Sequence, residues 1–299
     1  MYRSIITFVI CFIFQAICAQ SVVEKDFVVQ NGEISLPGTL TLVNDINTPV
    51  IVLVHGSGPN DRNETVGQNK MFEQLAKGLA AEGVSTLRYD KRTLLYKTGV
   101  EDMTYREETV DDAVQAIRQL KAEGYKHIFV AGHSLGGHLA PLIAADAKDN
   151  LDGVILLSGN TTTLKSALDA QLHYIGKMQG ATEEQIMASL NQMLASLPEK
   201  YREYDEQYDC IKALRSVMKD APALRWMVVQ GGHDYQVTIS DFYVWQMAFG
   251  TKATYYYGET LDHILRPLPQ MATPADYMQP GNIDQEVTKA IAKFCKEFQ

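Results

Sequence analysis

Recurring short apolar runs, separated by stretches of helical periodicity, constrain this chain more than any other feature. "VIVLV" (50–54) is a continuous β-branched run, which suits a strand buried on both faces. "VSTLRYD" (84–90), "HIFVAG" (127–132), "LDGVILLSG" (151–159), "LRWMVVQGG" (224–232) and "TKATYYYG" (251–258) also read as strands. Between them, "MFEQLAKGLAAEG" (71–83), "EETVDDAVQAIRQLKAEG" (107–124) and "LGGHLAPLIAADA" (135–147) read as helices, and "IDQEVTKAIAKFCKEF" (283–298) closes the chain with an amphipathic one. Strands joined by helices of this length predict a mostly parallel sheet covered on both faces. Ahead of it, "FVVQNGEISLPGTLTLV" (27–43) alternates around Asn31-Gly32, predicting an antiparallel hairpin at a sheet edge.

The rhythm breaks at Asn160. From Thr161 to Asp220 the chain is helical in pattern and rich in Met, Gln, Tyr and Glu, with Pro198 dividing it. A helical cap inserted at about 160–220 into one α/β domain over 20–299 is expected. Its Met and Tyr content suits an adaptable, partly apolar pocket, although any helix packed on a domain has a similar composition.

The N-terminus has another character. Arg3 precedes "SIITFVICFIFQAICA", an apolar run too short to span a bilayer that ends in small residues. This predicts a secretory signal peptide over 1–19, cleaved after Ala19, and a secreted or periplasmic protein. Lipidation at Cys18 is the lesser reading, since Ile17 before it is bulky. Beyond the leader no stretch is long and apolar enough to span a membrane. Cys210 and Cys295 then remain, and their spacing leaves a disulfide open. The net charge of -9, without a basic cluster, disfavours a nucleic-acid or anionic-membrane surface. No CxxC pair or histidine cluster has metal-ligand spacing, so neither metal nor cofactor is expected.

The chemistry centres on "GHSLGG". Gly132-His133-Ser134-Leu135-Gly136 is a G-x-S-x-G motif between the strand "IFVA" and a helix. A serine in so tight a turn stands above the carboxyl end of the sheet, and the N–H of Leu135, at a helix N-terminus, points to where an oxyanion would form. Serine needs a base and the base an orienting acid, which follow it in that chain order after later strands. Three histidines follow Ala140. His173 lies in the inserted segment, His233 directly precedes Asp234, and His263 lies after the last strand, where a base belongs. Asp234, after the penultimate strand, is the expected acid. Asp262 adjoins His263 too closely to orient it and is expected to be a solvated loop residue, and Asp241 lies in the next helix. Ser134, Asp234 and His263 are therefore the expected triad.

A second oxyanion donor is expected in His55-Gly56-Ser57-Gly58-Pro59, at the backbone N–H of Ser57. His55 reads as a brace for that loop. Arg62 or Lys70 could meet an acidic substrate group, or else hold the loop through a surface salt bridge. Tyr235, beside the acid, is another candidate substrate contact.

With "HGSGPNDRNET", "STLRYDKR", "GHSLGG", "GGHDYQV" and "LDHI" in place, the chain resembles the α/β-hydrolase superfamily. Within it, the resemblance is to secreted bacterial serine hydrolases akin to dienelactone hydrolases and small acyl esterases. It covers essentially the whole mature chain and is densest outside 160–220. It implies the α/β-hydrolase fold, with a Ser-Asp-His triad and an oxyanion hole at the positions above. Such proteins usually carry a glycine soon after "YDKR". Here the chain reads "TLLYKTG", with Gly99 late, so this loop is expected to be reshaped.

Three functions follow in order of expectation. The first is hydrolysis of a small carboxylic ester. The second is an exopeptidase or amidase, for which a cap carboxylate among Glu183, Glu184, Glu203 and Asp205 would have to hold a substrate amine, although each singly reads as part of a solvated helix face. The third is a binding protein without catalysis, which would have no need of a triad.

Overall fold

The computed structural model describes residues 22–96 and 102–297 of the 299. The leader expected at 1–19, with Cys18, and the late Gly99 lie outside the described residues. Eight strands form the main sheet: β1 (Val22–Asn31), β2 (Ile34–Val43), β3 (Val50–Val54), β4 (Ser85–Tyr89), β5 (Ile128–His133), β6 (Gly153–Leu157), β7 (Arg225–Gly231) and β8 (Ala253–Gly258). Their order across the sheet is β1-β2-β4-β3-β5-β6-β7-β8. β1 and β2 pair antiparallel, as do β2 and β4, while β4, β3, β5, β6, β7 and β8 run parallel. The edge hairpin turns through Gly32, whose φ of 60° costs a glycine nothing.

The continuity of "VIVLV" has a direct cause. Successive side chains point to opposite faces, and both faces of β3 are dry. Val50, Val52 and Val54 pack into one core, Ile51 and Leu53 into the other. Helices α3 (Asp111–Ala122) and α4 (Leu135–Ala147) cover the first face, and α1 (Met71–Ala81) and α10 (Gln285–Lys296) the second. In α10 the buried residues Val287, Ile291, Phe294 and Cys295 fall at helical spacing, so one stripe docks and the rest stays solvated. A short helix, α2 (Arg92–Leu95), follows β4, and a π-helical turn over Arg106–Val110 precedes α3 in place of a uniform α-helix.

Between β6 and β7 lie four helices, α5 (Leu164–Gln179), α6 (Glu183–Ala195), α7 (Glu199–Gln207) and α8 (Cys210–Asp220). α9 (Ile239–Phe249) links β7 to β8. Cys210 and Cys295 are free thiols buried in the two different cores, so they do not pair. Burial pushes the Cys210 thiol up to about 12, far from the reactive thiolate range. No helix among the described residues is long and apolar enough to cross a membrane.

Because six neighbouring strands run parallel, the loops after β3, β4, β5, β6, β7 and β8 all emerge at one end of the sheet. Every residue singled out above for chemistry except His173 and the cap carboxylates lies on or beside those loops, at the end where open parallel sheets bind ligands.

Candidate active site

Ser134 follows β5 without a connecting loop and caps α4. Its backbone is held at φ 53°, ψ -115°, a conformation that costs a non-glycine residue about 1–3 kcal/mol. Close packing of the two flanking glycines enforces it. A Cβ on Gly132 would lie 2.2 Å from the Gly136 carbonyl oxygen, and one on Gly136 would lie 2.5 Å from that of Val54. The Ser134 N–H donates to Leu157 O at 2.9 Å, and Ser134 O accepts from His138 N at 2.9 Å, so both sides of the strained residue are fastened. Leu135 is the first residue of α4, where an N–H has no intrahelical acceptor.

Asp234 and His263 come together behind this turn. His263 Nδ1–H donates to Asp234 Oδ2 at 2.8 Å, and both side chains are almost fully buried. The other carboxylate oxygen accepts from the N–H groups of Gln236 (2.8 Å) and Val237 (3.0 Å), which fixes the orientation of the acid. The bond to Nδ1 fixes the tautomer with Nε2 free to accept a proton. His263 is tied to the serine turn through His133, the residue before Ser134. The two imidazole centroids are 4.6 Å apart, and His133 Nε2–H donates to the His263 carbonyl at 2.9 Å.

Asp262 is not the solvated loop residue expected of it. It is fully buried and accepts from Arg266 through its N–H (2.8 Å), Nε (2.9 Å) and Nη2 (2.7 Å), and from the Ile264 N–H (3.1 Å). The carboxylate closes the tight loop that carries His263, where Leu265 sits at φ 62°. Sequence adjacency bars it from orienting His263 but suits it to shaping that loop.

The loop after β3 reaches the same place. Ser57, Ser134 and Leu135 line one small recess of about 30 Å³, together with Asn160, Leu164 and Val237. Asn60 braces this loop by donating to Ser57 O at 3.0 Å. His55 Nε2–H donates to Asp61 O at 3.0 Å, and burial lowers its pKa to about 4, leaving it neutral. Off Ser57 opens a second, almost wholly apolar slot of about 290 Å³, bounded by Pro59, Tyr96, Leu164, Leu197, Pro198 and Tyr201.

Beneath the slot lies a chain of buried charges that sequence reading missed. Lys91 Nζ donates to Gly56 O at 2.8 Å and pairs with Glu108 Oε1 at 2.8 Å, with both side chains buried. Glu108 Oε2 accepts from Tyr201 OH of α7 at 2.7 Å. Nearby, Tyr105 OH donates to Asp205 at 2.6 Å, and Asp205 also accepts from Leu164 N at 2.8 Å. Asp205 is thus a buried acceptor, correcting its expected place on a solvated face, whereas Glu183, Glu184 and Glu203 are exposed. Lysine and glutamate are normally surface residues, and nothing local in "YDKR" or "REET" marks these as exceptions.

Removing one partner of a buried pair strands a charge, which typically costs about 3–5 kcal/mol, while replacing both partners is far milder. Lys91→Met should therefore lower unfolding free energy by about that amount in urea titration. The double variant Lys91→Met/Glu108→Leu should recover much of it, and an additive loss would contradict the pairing.

The remaining candidates are held elsewhere. Arg62 grips Asp90 in a bidentate pair at 3.1 and 2.7 Å and donates to Thr39 at 3.1 Å. Lys70 contacts Glu73 at 3.4 Å. Tyr235 stacks on Tyr174 of α5 at 4.9 Å, so it joins the β7 loop to the inserted helices. Asp241 accepts from Thr161 N and Oγ1, and His173 bonds Glu183. No cluster of three or more His, Cys, Asp or Glu that could hold a metal occurs among the described residues.

A family model described as alpha/beta hydrolase fold matches residues 49–275 of this chain. Esterase EstD of Thermotoga maritima is 33% identical over 288 residues, which cover 92% of this chain and 68% of that protein. Among solved structures, an esterase of Pyrococcus furiosus superposes with a TM-score of 0.60 at 15% identity, over 92% of this chain and 91% of its own. Est1E of Butyrivibrio proteoclasticus gives 0.58 at 17%, over 90% and 96%. A dienelactone hydrolase of Anabaena variabilis gives 0.53 at 17%, over 91% and 96%.

Proposed function

Since the chain belongs to the alpha/beta hydrolase fold family, we propose that it is a serine hydrolase of small carboxylic esters. The observation that carries this reading is the Asp234–His263 bond at 2.8 Å, packed against the turn that strains Ser134. Its similarity to a protein named as an esterase supports the choice of bond.

In this reading Ser134 Oγ attacks the acyl carbon as its proton passes to His263 Nε2. Asp234 steadies the resulting imidazolium. The oxyanion is met by the N–H groups of Ser57 and Leu135. Collapse expels the alcohol, which takes the proton from Nε2. Water, deprotonated by the same imidazole, then attacks the acyl-enzyme, releasing the carboxylic acid and restoring the Ser134 hydroxyl.

The slot off Ser57 suits the acyl group. The leaving oxygen must face His263 to be protonated, so the acyl remainder points away from it. No residue of the Asp234 or His263 loops lines the slot. Burying a methylene contributes about 0.8 kcal/mol, so two extra methylenes should raise kcat/KM by about tenfold. Accordingly p-nitrophenyl butyrate should be turned over about ten times more efficiently than the acetate. The same panel should include aminoacyl-p-nitroanilides. The carboxylate expected to hold a substrate amine finds no support in Asp205, which is buried, with Oδ1 engaged by Tyr105 and Leu164 and Oδ2 accepting from the Lys165 N–H at 3.4 Å. Faster cleavage of the anilides than of the esters would overturn the ester reading.

A further inference from the structure

Behind Ser134 lies a second acid–histidine contact that the proposed reaction does not use. Glu64, from the loop after β3, is buried, and so is His133 of β5. Glu64 Oε1 accepts from the Gly56 N–H at 2.6 Å and lies 3.1 Å from His133 Nδ1. On its other side, His133 Nε2–H donates to the His263 carbonyl at 2.9 Å. Since a carbonyl can only accept, Nε2 carries a proton. Nδ1 faces the carboxylate at 3.1 Å, the spacing of a charged pair, with no hydrogen bond formed there. The electrostatics agree. Burial pushes the Glu64 carboxyl up, but His133 reverses this and holds it below the usual range. Burial pushes His133 down, and Glu64 more than offsets it.

Stability alone is a poor reason for this arrangement. Glu64 reaches inward from a left-handed backbone, φ 47°, unusual for a non-glycine residue. Its second oxygen is buried without a hydrogen bond, and the Nδ1 contact, though short, is off the hydrogen-bond direction. Unsatisfied buried polar atoms and strained backbone cost free energy and concentrate at functional sites. The pair also sits where three loops meet. A Cβ built on Gly56 would lie 3.1 Å from both Glu64 Oε1 and Ser134 Cβ, and 3.6 Å from His133 Nδ1.

We propose that Glu64 and His133 are positioning residues, a buried ion pair that sets the oxyanion loop and the base loop in register on either side of Ser134. Glu64 holds Gly56, the residue before the Ser57 donor, and His133 holds the backbone of His263. Neither touches the ester. Their contribution is the mutual placement of donor, nucleophile and base, where an error of about 1 Å can cost about 100-fold in rate. The inference rests on the Ser134–His263 reading above.

The test uses the full protein with a p-nitrophenyl ester and a fluorophosphonate that titrates competent serines. Glu64→Leu, which removes the acceptor and the charge, should lower kcat per titrated site by about 100-fold with KM changed less than about threefold. Glu64→Gln keeps an acceptor for the Gly56 N–H and should recover to within about 3- to 30-fold of wild type. The phosphonylation rate should fall in the same order, because the probe uses nucleophile, base and oxyanion donors but not the acyl slot. A merely structural pair would lower the melting temperature and leave kcat per competent site unchanged. If Glu64→Leu does not fold, Glu64→Gln decides alone, and a wild-type kcat in it overturns the proposal. Ser134→Ala in parallel separates the failures. If it stays active, the serine reading itself is wrong. If it is inactive while both Glu64 variants keep wild-type kcat, only the positioning role falls.

Discussion

Ser134→Ala should reduce turnover of p-nitrophenyl butyrate by a factor on the order of 10⁴–10⁶, to the residual rate supplied by binding and oxyanion donors. The protein should remain folded. The strain at Ser134 comes from the packing of Gly132 and Gly136 against backbone, and alanine at 134 leaves that packing in place. The Ser134 N–H and carbonyl bonds to Leu157 and His138 are main-chain and survive as well. Circular dichroism and denaturant midpoint should therefore stay near wild type while fluorophosphonate labelling disappears. Activity within tenfold of wild type would remove Ser134 from the nucleophile role, whatever the sequence motif around it.

Asp234→Asn should cost about 10⁴ in kcat, and the reason is tautomeric. The asparagine carbonyl can still accept from the N–H groups of Gln236 and Val237, as Asp234 Oδ1 does now. Its amide nitrogen then faces His263 Nδ1. Two donors cannot share one bond, so the imidazole proton moves to Nε2, where it blocks acceptance of the Ser134 proton. The loop keeps its shape, KM should change little, and the loss should fall on kcat. A loss below about tenfold would mean that another carboxylate orients His263. Asp262, the nearest rival, is already saturated by Arg266 and two backbone donors.

Much of this site was legible because its signals are local and positional. "GHSLGG" between a strand run and a helix, and Asp234 and His263 after later strands, are patterns that a parallel sheet converts into proximity. Continuous apolar runs announced buried strands, since β3 sends side chains into two cores at once. What stayed hidden depends on contacts distant in sequence. Whether a lysine or glutamate is solvated or buried is decided by its partner. Lys91 meets Glu108 across 17 positions, and His133 meets Glu64 across 69. Asp205 looked solvated for the same reason, its partner Tyr105 lying 100 positions away. Asp262 differs: its partner Arg266 is only four residues on, and what sequence reading missed is the tight turn that folds the guanidinium back onto it. The chain shows residue types in order, while burial belongs to the assembled sheet end.

The bonds from Tyr201 to Glu108 and from Asp205 to Tyr105 bear on how this scaffold could be remodelled. Helix α7 is wired to the base of the slot through groups that no longer have water to fall back on. Exchanging α5–α8 wholesale for helices from another protein would strip Glu108 Oε2 and the Tyr105 hydroxyl of their partners while leaving the Lys91–Glu108 pair in place, so a graft must carry the tyrosine and the aspartate along. Helix α6 carries no such wiring. Its buried residues are Ile186 and Leu190, while Met187 and Met193 face solvent. Since α6 lines neither the slot nor the recess beside Ser134, it is the part of the insertion that can be exchanged with least effect on the site, with α7 left as the fixed joint.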